Sequence, residues 1–326
     1  MMVRTGPSVS TRIGGVGTGL SWAWPSGVIY FPLWNKGDGL DIFHHMTAKD
    51  SKSYNLAVTD GPSDGQYELG AADLVLDILS THDARQVSVA ALCRAGEVCG
   101  LRDQNVRVAL NRLVRQGKVA NPARGLYALN PGGSGLFGEV ESWLSKEQRA
   151  VAWQGGWVGV VDGAVPRREK TLWRRHERAL MLRGFRALGV SGLQLRPDNL
   201  HGGVPGLRED LRALGLADQA TVIAVGELSR EDERRARGLW DLAALEAAYR
   251  DMWSRLERSQ AGLHALPTEV AARESLLLGR AAIRSIIHDP LLPDALMGGD
   301  LRHRLIERMR DYQSEAKQLW MRVLPA

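Results

Sequence analysis

The alternation of hydrophobic and polar positions changes character along the chain. Between residues 71 and 117 its period is helical. AADLVLDILST puts Leu74, Ile78 and Leu79 on one face. SVAALCRAGEVCG follows, with Ser88 placed to cap a helix and Gly100 placed to end it. RDQNVRVALNRLVRQG carries Val106, Ala109, Leu110, Leu113 and Val114 at i, i+3, i+4, i+7 and i+8, a buried stripe that stops at Gly117. KVA, a turn NPARG and LYALN then predict a short two-stranded ribbon. Three helices followed by a ribbon is the winged form of helix-turn-helix.

From 155 to 228 strand and helix patterns interleave. WVGVVDG, SGLQLRP and ATVIAVGEL read as strands, and REKTLWRRHERALMLRGF and PGLREDLRALGL as helices. This β-α-β…α-β order suggests a ferredoxin-like sandwich with one strand not visible in the pattern. Residues 231–320 read as helix throughout. One long helix is expected in DERRARGLWDLAALEAAYRDMWSRLERS, with Leu242, Leu245, Tyr249, Met252 and Leu256 inward. EVAARESLLLGRAAIRSII is apolar on most sides and must end before Asp289-Pro290, because a residue preceding proline avoids helical geometry. DLRHRLIERMRDYQSEAKQLW is the last helix.

The expected architecture is α+β and multidomain. A tail and linker occupy 1–66, a winged-helix domain 67–132, a ferredoxin-like domain 150–229 and a helical effector and dimerisation domain 230–326. The first segment holds loop glycines, an aromatic stretch WAWPSGVIYFPLW and a polar run, and Met46 is an alternative natural start. GGVGTG there meets neither phosphate-loop spacing.

Composition adds partners rather than folds. Of 42 Lys and Arg only seven are lysine, so 35 are arginine, with a net charge of +5 and a pI near 9.4. Arginine suits phosphates and base edges, and a GC-rich genome also favours it. Residues 71–130 hold eight Arg or Lys against five acids, and the acids fall mostly in the first two helices. Opposite the buried stripe of the third helix lie Gln104, Val108, Asn111 and Arg115, with Asn105, Arg107 and Arg112 on the flanks; of these Gln104, Asn105, Arg107, Val108 and Asn111 suit base edges. Arg112, Arg115, Lys118 and Arg124 suit phosphates. An ordinary solvated face is the competing reading. Residues 167–186 are strongly basic, and their helix either touches flanking DNA or a coenzyme A phosphate, or is simply solvated.

Cys93 and Cys99 fall in an amphipathic helix and read as small core hydrophobes. No catalytic motif or zinc spacing occurs, so neither enzyme activity nor a cofactor or metal is expected. No apolar run is long enough for a membrane helix, and MMVRTGPSVSTRIGG has no signal core, so a cytoplasmic location is expected. Asp162, at the end of the first middle strand, supplies the alternative of a metal-dependent nuclease. A ligand-blind architectural DNA binder is a third reading.

Three stretches together resemble the PaaX family of bacterial repressors of phenylacetate degradation: NVRVALNRLVRQGKVA with RGLYALN, GLWDLAALEAAYRDM, and IRSIIHDPLLPDALM. The family's usual Trp-Pro-Gly segment is replaced by MGGDLRHRL after Leu296, so the resemblance is to a divergent member. It implies a homodimeric repressor of a catabolic operon, bound to operator DNA and released by an acyl-CoA thioester. Within the family-like motifs, Trp240, Trp253, Arg284 and His288 are candidates for facing that effector. They could equally be core residues or, for His288, a helix cap.

Overall fold

Two small antiparallel sheets and a helical C-terminal region make up the computed structural model, which describes residues 69–81, 86–130, 143–189 and 192–324. The expectations for residues 1–66, including a start at Met46, lie outside the described residues.

Helix α1 (Ala71–Thr81) is buried at every position from Ala72 to Leu79. The expected single apolar face was too narrow, because α1 packs both on its neighbours in the chain and on a distant C-terminal helix. Ser88 caps α2 (Val89–Val98), its Oγ accepting the Ala91 N–H at 3.1 Å. Gly100 takes φ +77° and turns the chain into α3 (Asp103–Arg115). The α2–α3 crossing is close: a Cβ on Gly96 would lie 2.7 Å from Val106 Cγ2. Val106, Ala109, Leu110 and Leu113 are buried as the pattern predicts, whereas Val114 drifts onto the exposed side. Strands β2 (Val119–Ala123) and β3 (Leu126–Leu129) form the hairpin, turning at Arg124 and Gly125. The strand therefore runs through residues 121–123, which were expected to turn. A two-residue strand β1 (Val87–Ser88) pairs with β3, so the ribbon has three strands in the order β1-β3-β2.

A short 3-10 segment, Trp143–Arg149, leads into the second sheet. Its elements are β4 (Trp157–Val161), α4 (Lys170–Leu182), β5 (Arg186–Ala187), β6 (Leu193–Pro197), α5 (Gly203–Leu214) and β7 (Thr221–Val225). All pairings are antiparallel, in the order β5-β6-β4-β7. The strand missing from the sequence pattern is β5, which is too short to show alternation. Gly184, at φ +72°, ends the helix before it, so the helical reading of RGF is corrected. Val158, Val160 and Val222 pack against Ala179 and Leu180 of α4 and Leu207 and Leu211 of α5. Trp157 and Leu195 point the other way, into the larger core.

The C-terminal region holds α6 (Arg230–Arg237), α7 (Leu242–Leu263), α8 (Thr268–Ile287) and α9 (Asp300–Val323). The long helix expected from 232 is broken at Gly238, and α7 restarts at Asp241, whose Oδ1 accepts the Ala244 N–H at 2.9 Å. Leu256, Leu276, Ile283, Met309, Tyr312 and Trp320 fill the space between α7, α8 and α9. One apolar cluster runs from Leu74, Leu92 and Leu110 to these residues. Among the described residues no helix is long and apolar enough to cross a membrane.

Candidate nucleic-acid interface

Helix α3 is held from behind by its buried stripe, which fixes what it presents in front. Gln104, Asn105, Arg107, Asn111 and Arg115 are exposed. Val108 lies among them at 59% exposure, an apolar side chain with no core to enter. Arg112 is half-buried, and its Nε is enclosed without a hydrogen-bond partner. Lys118 sits half-buried at the root of the hairpin, and Arg124 is exposed at its turn. Within the described residues Arg107, Arg112, Arg115 and Arg124 form no ion pair with any acid. The expected base-facing and phosphate-facing residues thus lie on one helix face and the adjoining hairpin.

The opposite side of this unit is tied down ionically. Arg280 of α8 hydrogen-bonds the fully buried Asp77 and reaches Asp73 at 3.8 Å, both on α1. Burial pushes the Asp77 carboxyl well above its usual range, and Arg280 opposes the shift. Arg94 of α2 pairs with Glu97 at 2.6 Å and with Glu269 of α8. Nothing in the sequence pattern signals the Asp77–Arg280 pair, whose members stand 203 positions apart. Cys93 and Cys99 are buried free thiols, and burial pushes Cys99 up to about 12, as befits core residues.

The four effector candidates have different neighbours. Trp240 is buried, donates its indole N–H to Gly184 O at 3.3 Å and stacks on Trp157 with centroids 6.4 Å apart. Trp253 is half-buried under the guanidinium groups of Arg304 and Arg308, 5.5 and 5.1 Å from its ring, beside a shallow groove of about 230 Å³. Arg284 and His288 share the end of α8, where His288 Nδ1 lies 2.8 Å from Arg284 O. Burial, aided by the nearby charges of Arg284, Lys146 and Arg186, drives the His288 imidazole down to about 4, so Nδ1–H donates to that carbonyl at neutral pH. These neighbours set Trp253 apart, whereas Trp240 and the end of α8 that carries Arg284 and His288 both border the turn at residues 184–186.

Asp162 is buried in a small polar network. Its Oδ2 accepts from Gln194 Nε2 at 3.2 Å and from His176 Nε2 at 3.3 Å, and His176 Nδ1 accepts the Ala217 N–H at 3.3 Å. Burial raises the Asp162 carboxyl, but the bonds from His176 and Gln194 outweigh it and hold the group below its usual range. Among the described residues no group of three or more His, Cys, Asp or Glu side chains is arranged to hold a metal ion.

No family model matches the chain, and no curated protein matches it. A solved structure of an uncharacterized protein from Mycobacterium tuberculosis is similar over 77% of this chain and 99% of that one. Its sequence identity is 21% and its TM-score 0.49.

Proposed function

We propose that the chain is a sequence-specific DNA-binding repressor. On this reading α1–α3 and the β-hairpin are a winged helix-turn-helix, with α3 in the major groove and the hairpin along the backbone. The observation that carries it is the outward face of α3: bidentate donors, amides and an exposed valine, with no acid paired to its arginines within the described residues, mounted on the buried Val106, Ala109, Leu110 and Leu113. Arg pairs with guanine, Asn or Gln with adenine, and an apolar side chain with the thymine methyl.

The β-α-β-β-α-β unit, with order β5-β6-β4-β7, supports a ferredoxin-like reading of the middle region. The resemblance to PaaX repressors supports a homodimer on an inverted repeat and release by an acyl-CoA thioester sensed by the C-terminal helices. The ion pairs joining α8 to α1 and α2 give such a signal a physical route to the reader.

The test is selection of bound duplexes from a random pool, followed by gel shift with matched acids and their CoA esters. A recurrent motif in inverted repeat, released by an ester and not by the free acid, is expected. Enrichment of no motif would overturn the repressor reading. Release by the free acid alone would overturn the effector assignment.

A further inference from the structure

We propose that helix α4 is a second duplex-binding surface, which holds the phosphate backbone flanking the site read by α3. This inference rests on the DNA-binding reading and extends it to a part of the molecule outside the reader.

Several exposed arginines elsewhere are neutralised within their own helix. On α6 and α7 acids and cations are matched one helical turn apart: Asp232 with Arg235, Glu233 with Arg237, Glu246 with Arg250 and Asp251 with Arg255. That is the usual way a solvated helix face is built. Helix α4 departs from it. Lys170, Arg174 and Arg178 stand at i, i+4 and i+8, so each turn sets cation above cation, an arrangement that repels. Arg175 lies beside this row, and Arg167 and Arg168 precede it. The first turn has no acid to meet the positive end of the helix dipole, and Glu169 precedes it without capping it. Within the described residues none of these six cations forms an ion pair, nor do the two acids of the stretch, Glu169 and Glu177.

The cations are also held in place rather than loosely solvated. Arg167 lies over the Trp173 ring at 4.9 Å, and Arg174 Nη1 is enclosed with no hydrogen-bond partner. Arg175 packs over Gly215, where a Cβ would sit 3.3 Å from its Nε. Arg178 is half-buried, and burial together with Arg175 lowers its proton affinity. A crowded, unneutralised row of this kind is stabilised by an external polyanion. From Lys170 to Arg178 it extends about 12 Å, which fits a run of backbone phosphates better than one compact anion.

The test uses the full chain and a mixed-sequence duplex longer than the footprint of the reader, with affinity followed by fluorescence anisotropy over a range of salt. The triple substitution K170Q/R174Q/R178Q should lower the slope of log affinity against log salt by about 2.7, at ~0.9 for each phosphate no longer neutralised. Its melting temperature should be unchanged or higher, because like-charge repulsion is removed. Lys170→Gln alone, at an exposed position, should lower the slope by about 0.9, and R174K/R178K should keep it. An unchanged slope in the triple variant, while Lys118→Ala lowers it, overturns this inference and leaves the reader intact. A slope that falls in R174K/R178K as well means a structural role and also overturns it. Displacement of the duplex from α4 by one equivalent of coenzyme A, or a preference for RNA over DNA, overturns it in favour of those ligands. A wild-type chain that binds no duplex sinks both readings.

Discussion

The seam between α1 and α8 and the outward face of α3 belong to the same three-helix unit and treat charge in opposite ways. At the seam an arginine meets carboxylates: Arg280 pairs with Asp77 and Asp73. On α3 the arginines meet none within the described residues. A charge enclosed in the fold needs its counter-charge inside the fold, because an unpaired buried ion costs several kcal/mol. A charge meant for an external partner must be left open. The seam therefore answers to folding and, on the proposed reading, the face answers to binding.

The largest effect should come from breaking the seam. Arg280→Ala takes a cation away from the buried Asp77 and should cost about 3–5 kcal/mol in chemical denaturation. The loss should be pH-dependent. The folded Asp77 has a raised affinity for its proton, so its ionised form opposes folding, and the penalty grows as pH rises above the ordinary carboxylate range. A variant as stable at pH 8 as the wild type would show that the pair contributes nothing to stability.

Next comes the end of α8. His288 titrates near 4 in the fold, below the usual 6.5, so the folded state holds the neutral ring. Its contribution is present above pH 6.5 and is lost as pH falls toward 4. The loss should be on the order of 2–3 kcal/mol. His288→Gln should flatten stability over that window. An unchanged pH profile would contradict the assigned burial.

Substitutions on α3 should act on binding and leave folding alone. Asn111→Ala or Arg107→Ala should cost ~1–3 kcal/mol of specific affinity and change stability by no more than about 0.5 kcal/mol. Comparable losses in thermal denaturation would erase the contrast between face and seam. The smallest effect is expected at Lys118→Ala: a salt slope lower by about 0.9, with all sequences weakened alike.

The exposed face of α3 was legible because one helix carries both its buried stripe and its solvent side, and a 3.6-residue period exposes both. The hairpin was legible through Gly125, although its turn came later than NPARG suggested. Other features were not. Strands β1 and β5 have two residues each and show no alternation. The break at Gly238 hid inside a stretch read as one continuous helix. Asp73 and Asp77 fall in the helix whose apolar face was read from Leu74, Ile78 and Leu79, yet they are buried against Arg280, a residue that only the fold brings to them. Long-range pairing of this kind leaves no local trace. For the same reason Trp240 and Trp253 could be singled out by type while their different surroundings could not.

The central claim is that the face of α3 reads sequence. The most direct measurement compares wild type, Asn111→Ala and Lys118→Ala on a selected duplex and on a scrambled one, at matched salt. The predicted result is that Asn111→Ala loses the preference for the selected duplex and keeps its affinity for the scrambled one, while Lys118→Ala weakens both equally. Equal weakening of both duplexes by Asn111→Ala would contradict it.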